Sequence, residues 1–441
     1  MFLKKVVLAL VALLVFLVPL GSGRISFGIS VGPFGLMSLV GIFAFLFAIA
    51  HLLFGNQRLG RAQVPMDLSV TLFGVFVAFN FASVGWAQLT SVAISSSITY
   101  LQLLVFVWLL LFLRSEPRAF GILLHAFFAG SLLVLGVGLY DITSVGLEVI
   151  EGQRYGAFDI EVNILGFKLA LGIAVALYLF QRGVPALRWL YLSYIPGAVF
   201  LLVLTGSRTG FVLLVFVLLI GLWSVLKVQE QGRSRWSGQR ILILLAVVVP
   251  LALVAVPKLS DQLRFQTDRI ATVTEEATAG SGGRGHKWAL AFAAYLDHPI
   301  LGVGSGGTPY AMRDYVGHDG LTVSLAISDD VAHNVFLGIA ADTGTVGAFL
   351  FLLVLLSLIL RVAFFPRPEK LFLLSMIGVA LLAGLALSLE QDRDFYFALF
   401  LSVAIAASSF RVSQASRVGS RAIQPGSFAD PHSGGFRGQR Y

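Results

Sequence analysis

Cysteine is absent from the 441-residue chain, which excludes disulfides, thiolate nucleophiles and sulfur-ligated metal sites and leaves the redox compartment open. Charge is scarce as well. Only 12% of residues are Asp, Glu, Lys or Arg, about half the share of a soluble domain. Apolar residues make up 57%, and the mean hydropathy is +0.89. A chain so poor in charge and so rich in apolar runs is a membrane protein. The net charge of +8 does not point to nucleic acid, because the basic residues form short runs between apolar stretches and no basic stripe on a soluble fold. Chemistry is left to Arg, His, Asp, Glu and hydroxyls.

Apolar stretches near the roughly 20 residues needed to cross a bilayer predict an all-α polytopic protein with about twelve transmembrane helices, at 6–20, 34–54, 68–88, 92–113, 120–139, 163–180, 189–204, 209–226, 241–256, 333–360, 371–389 and 395–410. The split between the third and fourth falls beside a polar cluster of Ser91, Ser95, Ser96 and Ser97. The first run, after Lys4 and Lys5, also fits a cleaved signal peptide. On either reading the chain enters from the cytoplasmic side.

Lys and Arg are retained in cytoplasmic loops. The two termini and every second connection carry 20 of the 31 basic residues, including Arg58, Arg114, Arg182, Arg233 and Arg361, but only Asp67, Glu116, Glu230, Glu369 and Asp430 of the 23 acidic ones. This alternation places both ends in the cytoplasm. It leaves a loop of roughly 75 residues, 257–332, on the outer face between the ninth and tenth helices, longer than a simple connector. Residues 1–410 then form one transmembrane domain, and 411–441, poor in apolar residues, a disordered cytoplasmic tail.

Three places on the outer face carry chemistry. Arg208 lies in Thr205-Gly206-Ser207-Arg208-Thr209-Gly210, between two apolar helices. A guanidinium near hydrocarbon costs on the order of 3 kcal/mol unless it finds water or a partner; it either snorkels to the interface or, with turn amides opened by the glycines, binds an anion. Arg284 lies in Gly280-Ser281-Gly282-Gly283-Arg284-Gly285-His286-Lys287-Trp288, ahead of an amphipathic run to Tyr295. Glycines leading into a helix start beside Arg and Lys suit a phosphate, though solvated charges on a flexible loop fit equally. His333, in Asp329-Asp330-Val331-Ala332-His333-Asn334, sits at the mouth of the tenth helix. It is either a polar cap or, with its ordinary pKa near 6.5, a general base oriented by Asp329 or Asp330.

Other patterns lead nowhere. Gly302-Val303-Gly304-Ser305-Gly306-Gly307 matches a dinucleotide fingerprint by letter but has no βαβ context. His286, His298, His318 and His333 lack zinc spacing. Asp392-Arg393-Asp394 looks like the carboxylate pair of metal-dependent glycosyltransferases, yet residues 21–32 contain no carboxylate to complete such a site.

The ordered set Arg154-Tyr155-Gly156 leading to Asn163, Gly206-Ser207-Arg208-Thr209-Gly210, Gly283-Arg284 with Trp288, Asp297-His298-Pro299-Ile300-Leu301-Gly302-Val303-Gly304, and His333-Asn334 continuing to Gly344-Thr345-Val346-Gly347 resembles the O-antigen ligase and O-antigen polymerase superfamily. The resemblance covers roughly residues 154–360. It implies a membrane-embedded, GT-C-like, inverting glycosyltransferase of the bacterial inner membrane, with its site facing the periplasm and neither metal nor other cofactor. Its donor would be an undecaprenyl-diphosphate-linked glycan and its acceptor lipid A-core or another glycan. The family's two diphosphate-holding arginines map onto Arg208 and Arg284 and its catalytic histidine onto His333, with Arg154, Asn163, Ser207, Trp288 and Asn334 as substrate contacts. Among membrane lipids the site would meet its donor laterally, and no nucleic acid is involved. The acidic turn 390–394 departs from the pattern and leaves acceptor binding open.

Ligation to lipid A-core, polymerisation of repeat units and transfer to protein remain open within that family, ligation being preferred. From a different class, a twelve-helix transporter or flippase would show internal repeats and midplane charges, whereas here the polar residues gather at one face. The sidedness is testable: reporter fusions at Ser305 should read extracytoplasmic and fusions after Arg411 cytoplasmic. A cytoplasmic Ser305 would overturn the topology.

Overall fold

The computed structural model describes residues 2–21, 30–31, 34–54, 66–145, 156, 160–229, 284–314, 331–365 and 367–405. They form an all-α membrane protein, the one strand pairing among them being a two-residue antiparallel contact of Ser30–Val31 with Phe34–Gly35. The helices are α1 (Phe2–Leu17), α2 (Leu36–Phe54), α3 (Leu68–Ala82), α4 (Thr90–Phe112), α5 (Ala119–Val145), α6 (Val162–Arg182), α7 (Arg188–Thr205), α8 (Arg208–Gln229), α9 (Arg284–Asp297), α10 (Thr308–Asp314), α11 (Val335–Ala363), α12 (Arg367–Gly384) and α13 (Arg393–Phe400). Among the described residues eight helices are long and apolar enough to cross a membrane, namely α1 to α7 and α11. The third and fourth expected spans are separate helices. The last two are α12 and the short α13, which tightens into a 3₁₀ turn at Leu401–Ala404. The expected ninth span, 241–256, lies outside the described residues, as do Arg154, loop segments 257–283 and 315–330, and the tail after 405.

Acidic or amide side chains mark several helix starts, each accepting from backbone amides that have no partner in the first turn. Asp67 accepts from Ser69 N at 3.1 Å before α3. Glu161 accepts from Asn163 N at 2.9 Å and Ile164 N at 3.0 Å before α6. Asp392 accepts from Phe395 N at 3.1 Å before α13.

Charges gather at one end of the bundle. Asp67 pairs with Arg361, at the last turn of α11, and lies 3.7 Å from Arg114 after α4, while Lys4 donates to Ser115 Oγ at 2.8 Å. Deeper in, α6 packs against α5, α7, α8 and α12 and is the most buried candidate span. Its Lys168 is buried and ion-paired with Asp394 of α13, with the Val18 carbonyl 3.4 Å away. An unpaired ammonium there would be costly, so the pair ties α13 and the end of α1 to the central helix.

At the other end α11 is not continuous. Gly344 has φ 63° and ψ −168°, non-helical values inside the run. The segment 298–307 fills the break: Thr345 N donates to Pro299 O at 2.8 Å and Val346 N to Ile300 O at 3.3 Å, while Val303 N donates to Ala341 O at 3.0 Å and Gly304 N to Asp342 O at 2.9 Å. The buried Asp342 carboxylate completes the dock, accepting from Gly306 N and Thr308 N at 2.8 Å each and from Thr308 Oγ1 at 2.6 Å. Gly302, Gly304 and Gly306 all have positive φ, and a Cβ on Gly302 would fall 2.4 Å from the Asp342 carbonyl. The glycine pattern therefore serves close backbone approach, and the amides of Gly304 and Gly306 are used on Asp342 of α11. Gly344→Ala should lower the thermal unfolding midpoint in detergent by several degrees, because its Cβ would lie 2.2 Å from Ile300 O at a positive φ. Gly136→Ala in α5, with nothing within 4 Å, should leave the midpoint unchanged or raise it. Equal midpoints for Gly344→Ala and wild type would contradict the docked break.

Candidate functional site

Four helices begin beside one another. Gly206, at φ 60°, turns the chain out of α7, and Ser207 starts α8: its Oγ accepts from Gly210 N at 3.0 Å and donates to Asn163 Oδ1 at 2.9 Å. Asn163 belongs to the first turn of α6 and its amide also donates to Glu161. The starts of α6 and α8 are so joined that Gly166 and Gly210 face each other, with a Cβ on Gly166 only 3.1 Å from the Gly210 Cα. Arg284 opens α9 and donates to Thr209 Oγ1 at 3.1 Å, linking α9 to α8. One turn on, Trp288 Nε1 donates to the His333 carbonyl at 3.4 Å, linking α9 to α11.

His333 stands just ahead of α11 at φ 48°, the one positive φ outside glycine among the described residues. Such a conformation is uncommon for a side-chain-bearing residue and needs support from its surroundings. That support is visible: its N–H donates to Ser388 Oγ at 2.9 Å, its carbonyl accepts from Trp288, and the next residue is locked in place. Asn334 caps α11 by accepting from Phe336 N at 3.0 Å and Leu337 N at 3.1 Å, and its amide donates to Leu385 O at 3.3 Å.

The structure thus brings Arg208, Arg284, Trp288, Ser207, Asn163, His333 and Asn334 to one end of four linked helices, and Arg154 lies outside the described residues. Electrostatically, burial works against the Arg284 charge first, the Glu161 carboxylate favours it and Arg208 opposes it. Two guanidiniums at four helix starts, whose dipoles add to their charge, make this end of the bundle positive and suited to an anion. Through these bonds Ser207, Asn163 and Asn334 hold the turns at the helix starts. Among the described residues no three His, Asp or Glu side chains stand together as a metal site would require.

Glu161, Thr209 and Ser388 were not legible as site residues, although Glu161-Val162-Asn163 carries the spacing of an N-terminal cap. Asp342 and Lys168 were also missed. Their signal was available: an ionisable residue inside an apolar run marks a structural or functional partner.

On the far side of Ser388 lies a cavity of about 730 Å³. Glu390, in the turn between α12 and α13, lines it and has one carboxyl oxygen buried without a hydrogen-bond partner. Burial, with Asp342 adding to it, pushes the Glu390 carboxyl from its usual 4.5 up to about 8.

Residues 194–352 match the family model described as O-antigen ligase. That segment is less than half of the chain, runs from within α7 into α11 and contains Arg208, Arg284 and His333. No curated protein matches the chain significantly. The match bears out the resemblance to the O-antigen ligase superfamily.

A raised carboxyl has a definite effect on stability. Below pH 4.5 Glu390 is protonated folded or unfolded; as pH rises to about 8 the unfolded chain ionises first and the folded state loses ground. The unfolding midpoint should therefore fall across that window more in the wild type than in Glu390→Gln. Parallel midpoint curves for the two proteins would contradict it.

Proposed function

We propose, from the premise that residues 194–352 are of the O-antigen ligase family, that the protein transfers a glycan from a polyprenyl diphosphate to an acceptor hydroxyl. Lipid A-core is the acceptor we favour, and the site faces the periplasm from the inner membrane. The observation that carries the reading is the joining of the starts of α8, α9 and α11, which gathers Arg208, Arg284 and His333.

Arg208 and Arg284 hold the diphosphate. As the bond from the anomeric carbon to the phosphate oxygen breaks, its electron pair leaves with the diphosphate, so negative charge there grows toward the transition state. Two positioned guanidiniums therefore lower the barrier more than they tighten the ground state. The acceptor oxygen forms the new bond on the opposite face of the sugar, inverting the anomeric centre, and its proton passes to His333. Trp288 and Ser388 hold the His333 backbone from two sides, which fixes where the imidazole starts and keeps the base within reach of the hydroxyl.

Purified protein in nanodiscs, given lipid-linked glycan with and without lipid A-core, tests the assignment. Transfer should require lipid A-core and persist in EDTA. His333→Ala should lower kcat by about 10² to 10⁴ with donor affinity retained. Arg208→Ala and Arg284→Ala should weaken both donor binding and turnover, and lysine should restore only part, since an ammonium lacks the planar fork. Chain extension of the donor without lipid A-core would turn the assignment to a polymerase, and full activity of His333→Ala would remove the base.

A further inference from the structure

The helix that begins at Arg284 has two faces of opposite fate and similar composition. Leu290, Ala291 and Ala294 of α9 are buried against Met312 and Ala311 of α10 and Ala341 of α11. At roughly 100° per residue the opposite arc carries Gly285, Trp288, Ala289, Phe292 and Leu296. All five are exposed, Phe292 at 48% and Leu296 at 56%. No charged residue falls on this arc; His286 and Asp297 flank it. A helix face turned to water carries polar side chains, and an exposed apolar stripe marks a surface that something apolar covers.

The neighbours of the arc say what covers it. Past its break α11 exposes Val346, Phe349, Leu352 and Leu356, and α8 exposes Val212, Val215 and Leu219, each set at helical spacing along an apolar helix as a lipid-facing surface is. The α9 arc runs between these two surfaces. At its start Arg284 donates to Thr209 Oγ1, one turn before Val212. At its end Tyr295 Oη lies 2.8 Å from Thr345 Oγ1, and Ile300, 67% exposed, extends the arc to Val346, whose N–H donates to the Ile300 carbonyl at 3.3 Å. With 14 residues, α9 reaches about 21 Å and is too short to cross a hydrocarbon core of about 30 Å.

We propose that α9 lies in the bilayer interface at this end of the bundle, with the arc from Trp288 to Leu296 seated among the acyl chains of the leaflet and His286 and Asp297 at the level of the headgroups. An interfacial helix buries its apolar face about 5–10 Å into that boundary. Trp288 suits the position, its ring bordering the leaflet while its Nε1 donates to the His333 carbonyl. Lipid rather than a protein partner covers the arc because the arc continues into lipid-facing surface at both ends. The leaflet then helps to set the height of Arg284 at the start of the helix; that consequence rests on the transferase reading, and the immersion itself does not.

The absence of cysteine lets a single introduced thiol carry a nitroxide label without removing any native one. Labels on Ala289→Cys, Phe292→Cys, Leu296→Cys and Asp297→Cys, in the full chain in nanodiscs, are read by spin relaxation with oxygen, which dissolves in lipid, and with a water-soluble nickel chelate. The first three should be relaxed more by oxygen and the fourth more by nickel. Ala289→Cys, a small change at an exposed position, keeps the reading open should Phe292→Cys not fold. Nickel access at 289, 292 and 296 equal to that at 297 overturns the proposal, and so does protection from both reagents, which a covering protein or another segment of this chain would produce. Phe292→Asp with Leu296→Asp, which sets two carboxylates in the leaflet, should weaken polyprenyl diphosphate binding about tenfold, while Phe292→Leu keeps wild-type affinity. If the labels read lipid but the double variant binds the donor as the wild type does, the interfacial helix stands and its influence on Arg284 falls. If they read lipid and the wild type moves no glycan, the helix stands and the transferase reading falls.

Discussion

The Asp342 carboxylate is the interaction on which the site's geometry depends. Sited in the first stretch of α11, it accepts from two amides and one hydroxyl of residues 306–308 and so fastens the segment after α9 to the helix that begins just beyond His333. With that segment fixed, α9 lies along α11, Trp288 reaches the His333 carbonyl and Arg284 reaches Thr209. A carboxylate buried in an apolar helix would be expensive alone. Here its oxygens are met by donors whose own helical partners are missing, so one desolvation cost is shared among several groups. The break at Gly344 belongs to the same arrangement, since it opens amides that take carbonyls of 299 and 300.

How much of this was legible in the sequence differs by element. The apolar runs are unambiguous because a membrane demands length and lack of charge from each segment independently, and α1 to α8 begin and end within a few residues of the runs that mark them. The split between α3 and α4 was the least secure boundary, because the serine cluster interrupts the apolar run; in the structure Ser96 and Ser97 turn inward to Ser305 and to the Asn80 carbonyl. Arg208, Arg284 and His333 stood out because polar residues among glycines at helix mouths are few. The break in α11 was not legible: its cause is the approach of a segment some 40 residues earlier, and Gly344 alone resembles any helix glycine. The cavity was still less so, because its wall draws on residues near 18, 91–96, 306–310 and 388–394, which only the packing of several helices brings together.

Both ends of the bundle solve the same electrostatic problem in different ways. At the end bearing Asp67, the arginines are answered by a carboxylate they share. At the end bearing Arg208 and Arg284, the positive charges are set beside helix starts whose dipoles add to them, with Glu161 the acidic neighbour. The first arrangement is satisfied within the protein. The second sets two like charges near each other, Arg208 opposing the charge of Arg284 and Glu161 favouring it.

The backbone of His333 is held by a tryptophan nitrogen on one side and a serine hydroxyl on the other, and its left-handed turn is set by main-chain bonds around it. Of the cavity's serines, Ser91 and Ser95 make none of those bonds, and Tyr310 makes none either. The wall bearing Ser91, Ser95 and Tyr310 is thus separate from the bonds that hold the histidine, whereas Ser388 belongs to both. Substitutions can accumulate on one wall without moving the imidazole, so descendants of this chain could come to accept different ligands while keeping one unaltered hinge of chemistry.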